Sequence, residues 1–477
     1  RLARDPNVES VEPDARRYPM QADPFIADQW NLTGTGGGAN VVAAWGSGTS
    51  GLTGATGFGV TVAVLDTGVV YGSRDLSQPT TRLLIGVDLV SRDTSGSFGP
   101  TATSNDGTGR DADASDPGNW ITAAEAGNNP FQDCPTATDS DWHGTHTSGI
   151  IAANRNNVIG IAGVAYQSNI LPVRILGKCG GYTSDIADGI RYAAGFQVNG
   201  AGGACVATAA TAKVINLSLG ATGGCSTAEQ TAITAALGAG VRAIVAAAGN
   251  DNGAMVSTVA PANCAGVIAV AAVNRTGARA AYTNIGPGVA LSGPGGTLPS
   301  TCVNGSEPSC TDGILSTFND GRTGPVTDPV GGSYAYVIGT SEAAAHVSGV
   351  AALMLSVNGN LTATQLTALI RSSARAFPAV VPACTTTDCG AGIVDAAAAA
   401  TAARAAPLVA FTPSLTNSCS AIADPDAVPA SSGGGGGGGG CVFDPNGRPD
   451  VLLAMLALIA MVGVIRRRRV AVSRVSR

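Results

Sequence analysis

The chain has 477 residues, which is long enough for one large α/β domain with appendages or for two domains. Charged residues make up only 13% of it, so this is not a solvated, highly charged tail protein. The formal net charge is −6, and removing the six arginines of the last twelve residues takes the net charge of residues 1–465 to −12. A body this acidic argues against nucleic acid as the main partner, so none is expected.

Eleven cysteines indicate disulfides rather than zinc, because no CxxC pair is present and only three histidines are available as further ligands. Two pairs, Cys302 with Cys310 and Cys384 with Cys389, are predicted to be bridged from their spacing alone. Disulfides indicate an oxidising compartment, so we expect an exported protein. The chain begins with Arg1 and shows no signal peptide, so we expect the start of a precursor to be missing from it.

From residue 60 onward, short apolar runs alternate with helical patterns. The runs have the length and composition of buried parallel strands: VTVAVLD (60–66), ILPVRIL (170–176), KVINLSL (213–219), VRAIVAAA (241–248) and GVIAVAAV (266–273). Apolar residues at three- and four-residue spacing predict helices over 143–153, 183–195, 227–240 and 341–356. This alternation predicts an α/β fold with a mostly parallel sheet flanked by helices, and functional groups beyond the C-terminal ends of its strands.

Beyond residue 400 the composition changes. Residues 401–440 are rich in Ala, Pro and Ser and then contain eight consecutive glycines, which predicts a flexible linker. In the final segment, 441–477, an apolar run at 451–465 precedes four arginines. A helix of that length spans about 22 Å, short of the roughly 30 Å of a bilayer core unless flanking residues contribute. The tail resembles a bacterial sorting signal cut by a membrane protease, and a permanent membrane anchor is the alternative.

Four polar residues stand at predicted element ends. Asp66 ends the first strand and Asn250 follows a later one, while His143 and Ser341 begin helices. A helix N-terminus stabilises developing negative charge, which suits a nucleophile at Ser341. Taken singly, each of these residues could be an ordinary cap or turn residue. The candidate general base is His143, because the two remaining histidines are expected to be structural: His146 and His346.

Five segments together resemble the subtilisin-like serine proteases, or subtilases, in motif and in order. They are AVLDTGV (63–69), WHGTHTSGIIAA (142–153), INLSLG (215–220), VAAAGN (245–250) and GTSEAAAHVSGVAAL (339–353). The Asp, His, Ser order is the subtilisin order, and no G-x-S-x-G elbow surrounds the serine. The resemblance covers about residues 1–400 and implies a three-layer subtilisin-like fold.

The resemblance also implies a role for each residue. Ser341 is expected to attack the peptide carbonyl, His143 to move the proton, and Asp66 to orient the imidazole, with no catalytic cofactor. The side chain of Asn250 and the backbone N–H of Ser341 are expected to bind the oxyanion. An extended protein or peptide substrate is expected to pair with a segment that also walls the specificity pocket: Ser218, Leu219 and Gly220.

Further expectations come from the same resemblance. Residues 1–20 look like the end of an inhibitory pro-segment, and residues 21–400 like the peptidase domain. Asp75 and Asn157 match positions that supply a structural Ca²⁺ site. The segment LGKCGG (176–181) is similar to a secreted bacterial branch. That branch implies two disulfides, Cys134–Cys179 and Cys225–Cys264, and leaves three cysteines unassigned: Cys205, Cys419 and Cys441.

Two positions depart from the family pattern. Glu342 stands where the family usually has Met, and Ala345 where it usually has Pro. An ionised Glu342 is expected to raise the pKa of His143. Two hypotheses follow from the sequence. The first is a secreted serine endopeptidase that works through an acyl-enzyme. The alternative is a catalytically impaired, surface-anchored binding protein that retains the subtilisin fold.

Overall fold

The structure, a computed structural model, describes residues 22–46, 54–77, 82–93, 97–200, 205–208, 210–298, 310–329 and 332–407. These residues all belong to one compact unit, Arg1–Pro429. The pro-segment predicted at 1–20, almost all of the 401–440 linker and the 441–477 tail lie outside the described residues.

A seven-stranded sheet forms the centre of the fold, and every strand pair in it is parallel. Its strands are β1 (Thr61–Asp66), β2 (Val87–Asp88), β3 (Asn169–Arg174), β6 (Val214–Leu217), β8 (Ala243–Ala247), β10 (Ile268–Val273) and β11 (Leu291–Pro294). Their spatial order is β11-β10-β8-β6-β1-β3-β2. Three antiparallel pairs complete the strands: β4 (Val198–Asn199) with β5 (Cys205–Val206), β7 (Ala221–Thr222) with β9 (Val259–Ala260), and β12 (Ile314–Thr317) with β13 (Tyr334–Val337).

Eight α-helices surround these strands in the described part of the chain. They are α1 (Val41–Trp45), α2 (Arg74–Ser77), α3 (His143–Ala152), α4 (Thr183–Ala193), α5 (Thr227–Ala239), α6 (Thr340–Val357), α7 (Ala363–Ser372) and α8 (Ala396–Ala405). The helix α5 begins with a reciprocal capping box between Ser226 and Glu229, which satisfies two of its free N–H groups. None of the described helices combines the length and the apolar character needed to cross a bilayer.

The alternation of side chains along β1 divides the core into two layers. Val62 and Val64 pack with residues of α3, α6 and α8, whereas Ala63 and Leu65 pack on the opposite face with residues of α4 and α5. Successive strand side chains point to opposite faces, so a continuous apolar run is buried on both sides. The helix α6 is buried over almost its whole length and lies at the centre of one layer. The predicted three-layer α/β fold is confirmed.

Three disulfides lie in the described part of the chain. Cys134 is bonded to Cys179 and Cys225 to Cys264, the pairs implied by the resemblance, and the third bridge is the pair expected from spacing, Cys384–Cys389. Two more cysteines are also disulfide-bonded: Cys205 and Cys310. The expected partner of the latter, Cys302, lies outside the described residues.

Candidate active site

The C-terminal ends of three neighbouring strands and the starts of two helices meet at one edge of the sheet. Asp66 is the last residue of β1, while Ser218 and Asn250 follow the adjacent strands β6 and β8. His143 begins α3 and Ser341 lies in the first turn of α6. Parallel strands end at the same edge, so residues far apart in sequence meet at a single cleft of about 740 Å³, which all of these residues except the buried Asp66 line.

Asp66 and His143 form a hydrogen-bonded pair beside this cleft. The Nδ1 atom of His143 lies 2.8 Å and 2.9 Å from the two carboxylate oxygens of Asp66. Asp66 is fully buried and accepts further hydrogen bonds from the Thr67 N–H and the Thr147 hydroxyl. Gly144 permits this approach, because a Cβ there would collide with the backbone oxygen of Gly68. The carboxylate therefore fixes the imidazole with Nδ1 as the donor and leaves Nε2 for chemistry.

Charge around His143 favours its protonated form. Burial lowers the pKa of His143, but the carboxylate of Asp66 attracts the cation and accepts its hydrogen bond, with further contributions from Asp141 and Glu342. The net effect raises the pKa to about 10. Glu342 thus contributes to raising the pKa of His143, as predicted from the sequence.

The Ser341 hydroxyl is hydrogen-bonded to Ser218 rather than to His143 in this structure. Its Oγ donates to the backbone oxygen of Ser218 at 3.0 Å, and the Ser218 hydroxyl donates back to the backbone oxygen of Ser341 at 2.8 Å. Ser341 is 8% exposed, while the imidazole of His143 is 22% exposed, and both residues line the cleft. This reciprocal pair ties the start of α6 to the segment after β6, where the expected substrate-binding residues Leu219 and Gly220 also line the cleft.

Asn250 has its amide orientation determined by Thr340. The backbone N–H of Thr340, which can only donate, lies 3.0 Å from Asn250 Oδ1, and the Thr340 hydroxyl donates to the same oxygen at 2.9 Å. Because Oδ1 is thereby engaged as an acceptor, Nδ2 is the group left to donate at the exposed, cleft-facing end of the side chain. This contact of Thr340 was not predicted from the sequence, although the position of Thr340 directly before Ser341 was a signal.

Glu342 contacts the second histidine of α3 rather than the first. Its Oε1 lies 3.3 Å from Nδ1 of His146, and both side chains are 1% exposed. Burial raises the pKa of Glu342, but its interaction with the adjacent His146, together with the charge of His143, outweighs burial, so the pKa is lowered. The two histidines expected to be structural are indeed fully buried, and burial lowers the pKa of His346 to about 4.

Asp75 and Asn157 are neighbours, but their arrangement does not fit a Ca²⁺ site. Asn157 turns its amide nitrogen toward Asp75 at 2.8 Å, and its Oδ1 accepts instead from the N–H of Ile159. The second carboxylate oxygen of Asp75 accepts from the Ile161 N–H and the Tyr334 hydroxyl. Calcium requires oxygen ligands, whereas N–H and O–H donors here surround the carboxylate. The expected calcium pair is therefore corrected to a hydrogen-bonded network joining α2 to the loop after α3.

A parallel α/β sheet with a buried Asp–His pair, a serine at a helix start and an amide at one cleft is the arrangement that the subtilase resemblance implies. The sequence profile of the Subtilase family matches residues 57–413, and the chain belongs to this family.

Relatives agree with this assignment. An extracellular protease of Xanthomonas campestris is 41% identical over 84% of this chain and 60% of its own length. An extracellular basic protease of Dichelobacter nodosus is 38% identical over 84% of this chain and 59% of its own length. This chain thus spans about three fifths of the length of these two relatives. A solved protease structure from Pseudoalteromonas arctica is 42% identical, covers 80% of this chain and 99% of its own, and has a TM-score of 0.68.

Proposed function

We propose that this protein is an exported serine endopeptidase in which Asp66, His143 and Ser341 form the catalytic triad. The observation that carries the proposal is the buried Asp66 carboxylate bonded to His143 Nδ1 in the same cleft as a serine hydroxyl and a free amide. Nucleophile, base and orienting acid are the components of acyl transfer.

The reaction begins with a rotation of the Ser341 hydroxyl away from the Ser218 carbonyl and toward His143 Nε2. His143 takes the proton as Oγ attacks the peptide carbonyl, and Asp66 stabilises the resulting imidazolium. The oxyanion accepts hydrogen bonds from Asn250 Nδ2 and the Ser341 N–H, whose strength increases as charge develops. His143 then protonates the leaving amine, and a water molecule repeats the sequence in reverse on the acyl-enzyme. These side chains supply every proton transfer without a cofactor.

Protein or peptide substrates bind in extended form along the cleft. The segment Ser218, Leu219 and Gly220 continues β6 into the cleft and offers backbone groups to such a chain. Disulfides within the fold, together with relatives named as extracellular proteases, support export.

Two finer proposals concern the chain ends. Residues 1–20 are proposed to derive from an inhibitory pro-segment that the enzyme itself removes. The segment 451–465 is proposed to hold the protein at a membrane, either as a permanent anchor or until a sorting protease cuts the tail. N-terminal sequencing and membrane fractionation of the exported protein test these proposals.

The experiment that tests the function is the substitution Ser341→Ala. We expect peptidase activity to disappear while the melting temperature changes little, because the Ser341 side chain makes a single hydrogen bond among the described residues, to Ser218. Ser356→Ala is the matched control, since Ser356 lies on the same helix and its hydroxyl donates to the backbone oxygen of Leu353 within that helix. Substantial hydrolysis by purified Ser341→Ala protein would rule out the triad. An inactive but correctly folded wild-type protein would favour the alternative of a binding protein.

A further inference from the structure

Glu342, the residue that directly follows the proposed nucleophile Ser341, has a buried carboxylate. Oε1 of Glu342 is 3.3 Å from His146 Nδ1, and within the described residues neither carboxylate oxygen meets the full geometry of a hydrogen bond. A Cβ placed on Gly339 would lie 2.7 Å from Glu342 Oε2 and 3.5 Å from Asn250 Nδ2. Gly339 therefore lies between the Glu342 carboxylate and the Asn250 amide that is proposed to bind the oxyanion.

The protonation of His146 follows from its other contacts. Its Nε2 lies 3.1 Å and 3.2 Å from two backbone oxygens, those of Ile314 and Ala335. Carbonyl oxygens only accept, so Nε2 must carry a proton. At Nδ1 the neighbour is the Glu342 carboxylate, and one proton must lie between the two groups to avoid contact between lone pairs. When that proton resides on Nδ1, His146 is an imidazolium facing a carboxylate.

Other titratable groups near Glu342 do not neutralise it. The hydroxyl of Tyr282 donates its hydrogen bond to the backbone oxygens of Gly295 and Gly296, and so not to Glu342. His346 lies 2.7 Å from the backbone oxygen of Glu342 through Nδ1 and 2.7 Å from Asn31 Nδ2 through Nε2, so its ring is neutral. His143 is already paired with Asp66. A carboxylate at the N-terminal turn of α6 is favoured by the helix dipole, but burial without a cation is costly.

We propose that Glu342 and His146 form a buried carboxylate–imidazolium pair in which His146 acts as a positioning residue that neutralises the charge beside the oxyanion site. The pair links α3, which carries His143, to α6, which carries Ser341. This inference rests on the proposed function of the cleft. An unpaired Glu342 would oppose the negative charge that develops on the substrate carbonyl but not the neutral ground state. The cation thus makes glutamate compatible with catalysis at this position.

The protonation state can be read by ¹⁵N NMR of the histidine rings in the Ser341→Ala protein, which cannot digest itself. The chain has only three histidines, which makes assignment tractable. At pH 7 we expect His146 to show two protonated nitrogens and His346 to show one. In the isosteric Glu342→Gln variant the amide can donate to Nδ1, so His146 should become neutral while His346 stays unchanged as an internal control. A neutral His146 ring in the presence of Glu342 would overturn the proposal, whatever the activity of the wild-type enzyme.

Kinetics give a second, independent result. His146→Gln should lower kcat by about tenfold or more with little change in KM. Without the imidazolium, the charge of Glu342 destabilises the negatively charged transition state but not the neutral bound substrate. The loss should grow with pH as the unpaired Glu342 ionises. Adding Glu342→Gln should restore most of the lost kcat, since it removes the uncompensated charge. Equal kcat losses in His146→Gln with and without Glu342→Gln would contradict the pair, whereas an inactive wild-type protein would instead refute the peptidase function.

Discussion

At the scale of single residues, charge around His143 determines when the proposed base can act. The carboxylate of Asp66 contacts Nδ1 and is fully buried, whereas Asp141 is exposed and acts mainly through its charge. Both stabilise the imidazolium, but the buried partner is screened far less by water and salt. The base must be neutral to accept the serine proton, so the same contact that orients His143 also shifts its working range toward alkaline pH.

This shift predicts the pH dependence of the enzyme. The raised pKa of His143 means that kcat/KM increases with pH, with a midpoint above 6.5. Asp66→Asn should move the midpoint of the small remaining activity to lower pH, because the anion that stabilises the imidazolium is lost. Asp141→Asn is the control and should give a smaller downward shift that vanishes at high salt. An unchanged midpoint in Asp66→Asn would contradict this account.

The sequence predicted that the candidate site residues lie together at one sheet edge, but several of their contacts could not be predicted. Asp66, His143, Asn250 and Ser341 stand in motifs at element ends, and those ends meet at one edge of the sheet. The partner of Glu342 depends on how α3 packs against α6, which no local pattern reveals.

The same limit applies to the Ca²⁺ expectation. Asp75 and Asn157 are brought together as expected, but the amide direction of Asn157 is determined by the Ile159 N–H. A sequence motif indicates which residues meet and not which atom each presents. Residue type alone was therefore insufficient to predict ligation.

At the scale of secondary-structure elements, apolar runs predicted five of the seven strands of the central sheet to within a few residues. They failed for β2 and β11, since the first has only two residues and the second, LSGP, contains Gly and Pro, which weaken any strand pattern. The antiparallel pairs were also missed, because short strands have too few residues to show a period.

Disulfides connect elements that border the cleft. The Cys225–Cys264 bridge joins the start of α5 to the segment between β9 and β10, and both neighbouring segments contribute cleft residues. Its two cysteines are 39 residues apart, whereas those of Cys384–Cys389 are 5 apart. Closing a longer loop removes more entropy from the unfolded chain, so the first bridge should contribute more to the free energy of unfolding.

Paired Cys-to-Ser substitutions test this difference. In the Ser341→Ala background, which prevents autolysis, the Cys225→Ser, Cys264→Ser protein should lose about 2–4 kcal/mol of unfolding free energy. The Cys384→Ser, Cys389→Ser protein should lose less. Denaturant unfolding of both proteins at one temperature gives the comparison, and a larger loss from the shorter loop would show that strain or packing, rather than loop entropy, controls these bridges.

At the scale of the whole molecule, negative charge dominates both the body and the cleft. Residues 1–465 carry a net charge of −12, and apart from His143 the charged side chains that line the cleft in the described part of the chain are acidic: Asp133, Asp141, Glu229 and Asp251. Field lines focus in a cleft of one sign, which increases the local concentration of oppositely charged substrates. The molecule should therefore capture cationic peptides faster than anionic ones.

Salt dependence tests this expectation. For a pair of peptides that differ only in Lys or Glu residues flanking the scissile bond, kcat/KM should be higher for the lysine peptide at low ionic strength. The difference should shrink as salt is added, because screening at about 0.1 M already limits the field to roughly 10 Å. Equal kcat/KM values for the two peptides at low salt would show that the acidic lining does not act on substrates.

The central claim is that Ser341 is a nucleophile activated by His143, and a phosphonylating serine reagent tests it most directly. We expect one adduct on the folded protein, located at Ser341 by peptide mass spectrometry, with Ser348 and Ser356 of the same helix unmodified. Labelling should be greatly slowed in His143→Ala, because the hydroxyl then lacks its base. A folded protein that gives no adduct, or one that hydrolyses peptides while the adduct lies on another residue, would contradict the account.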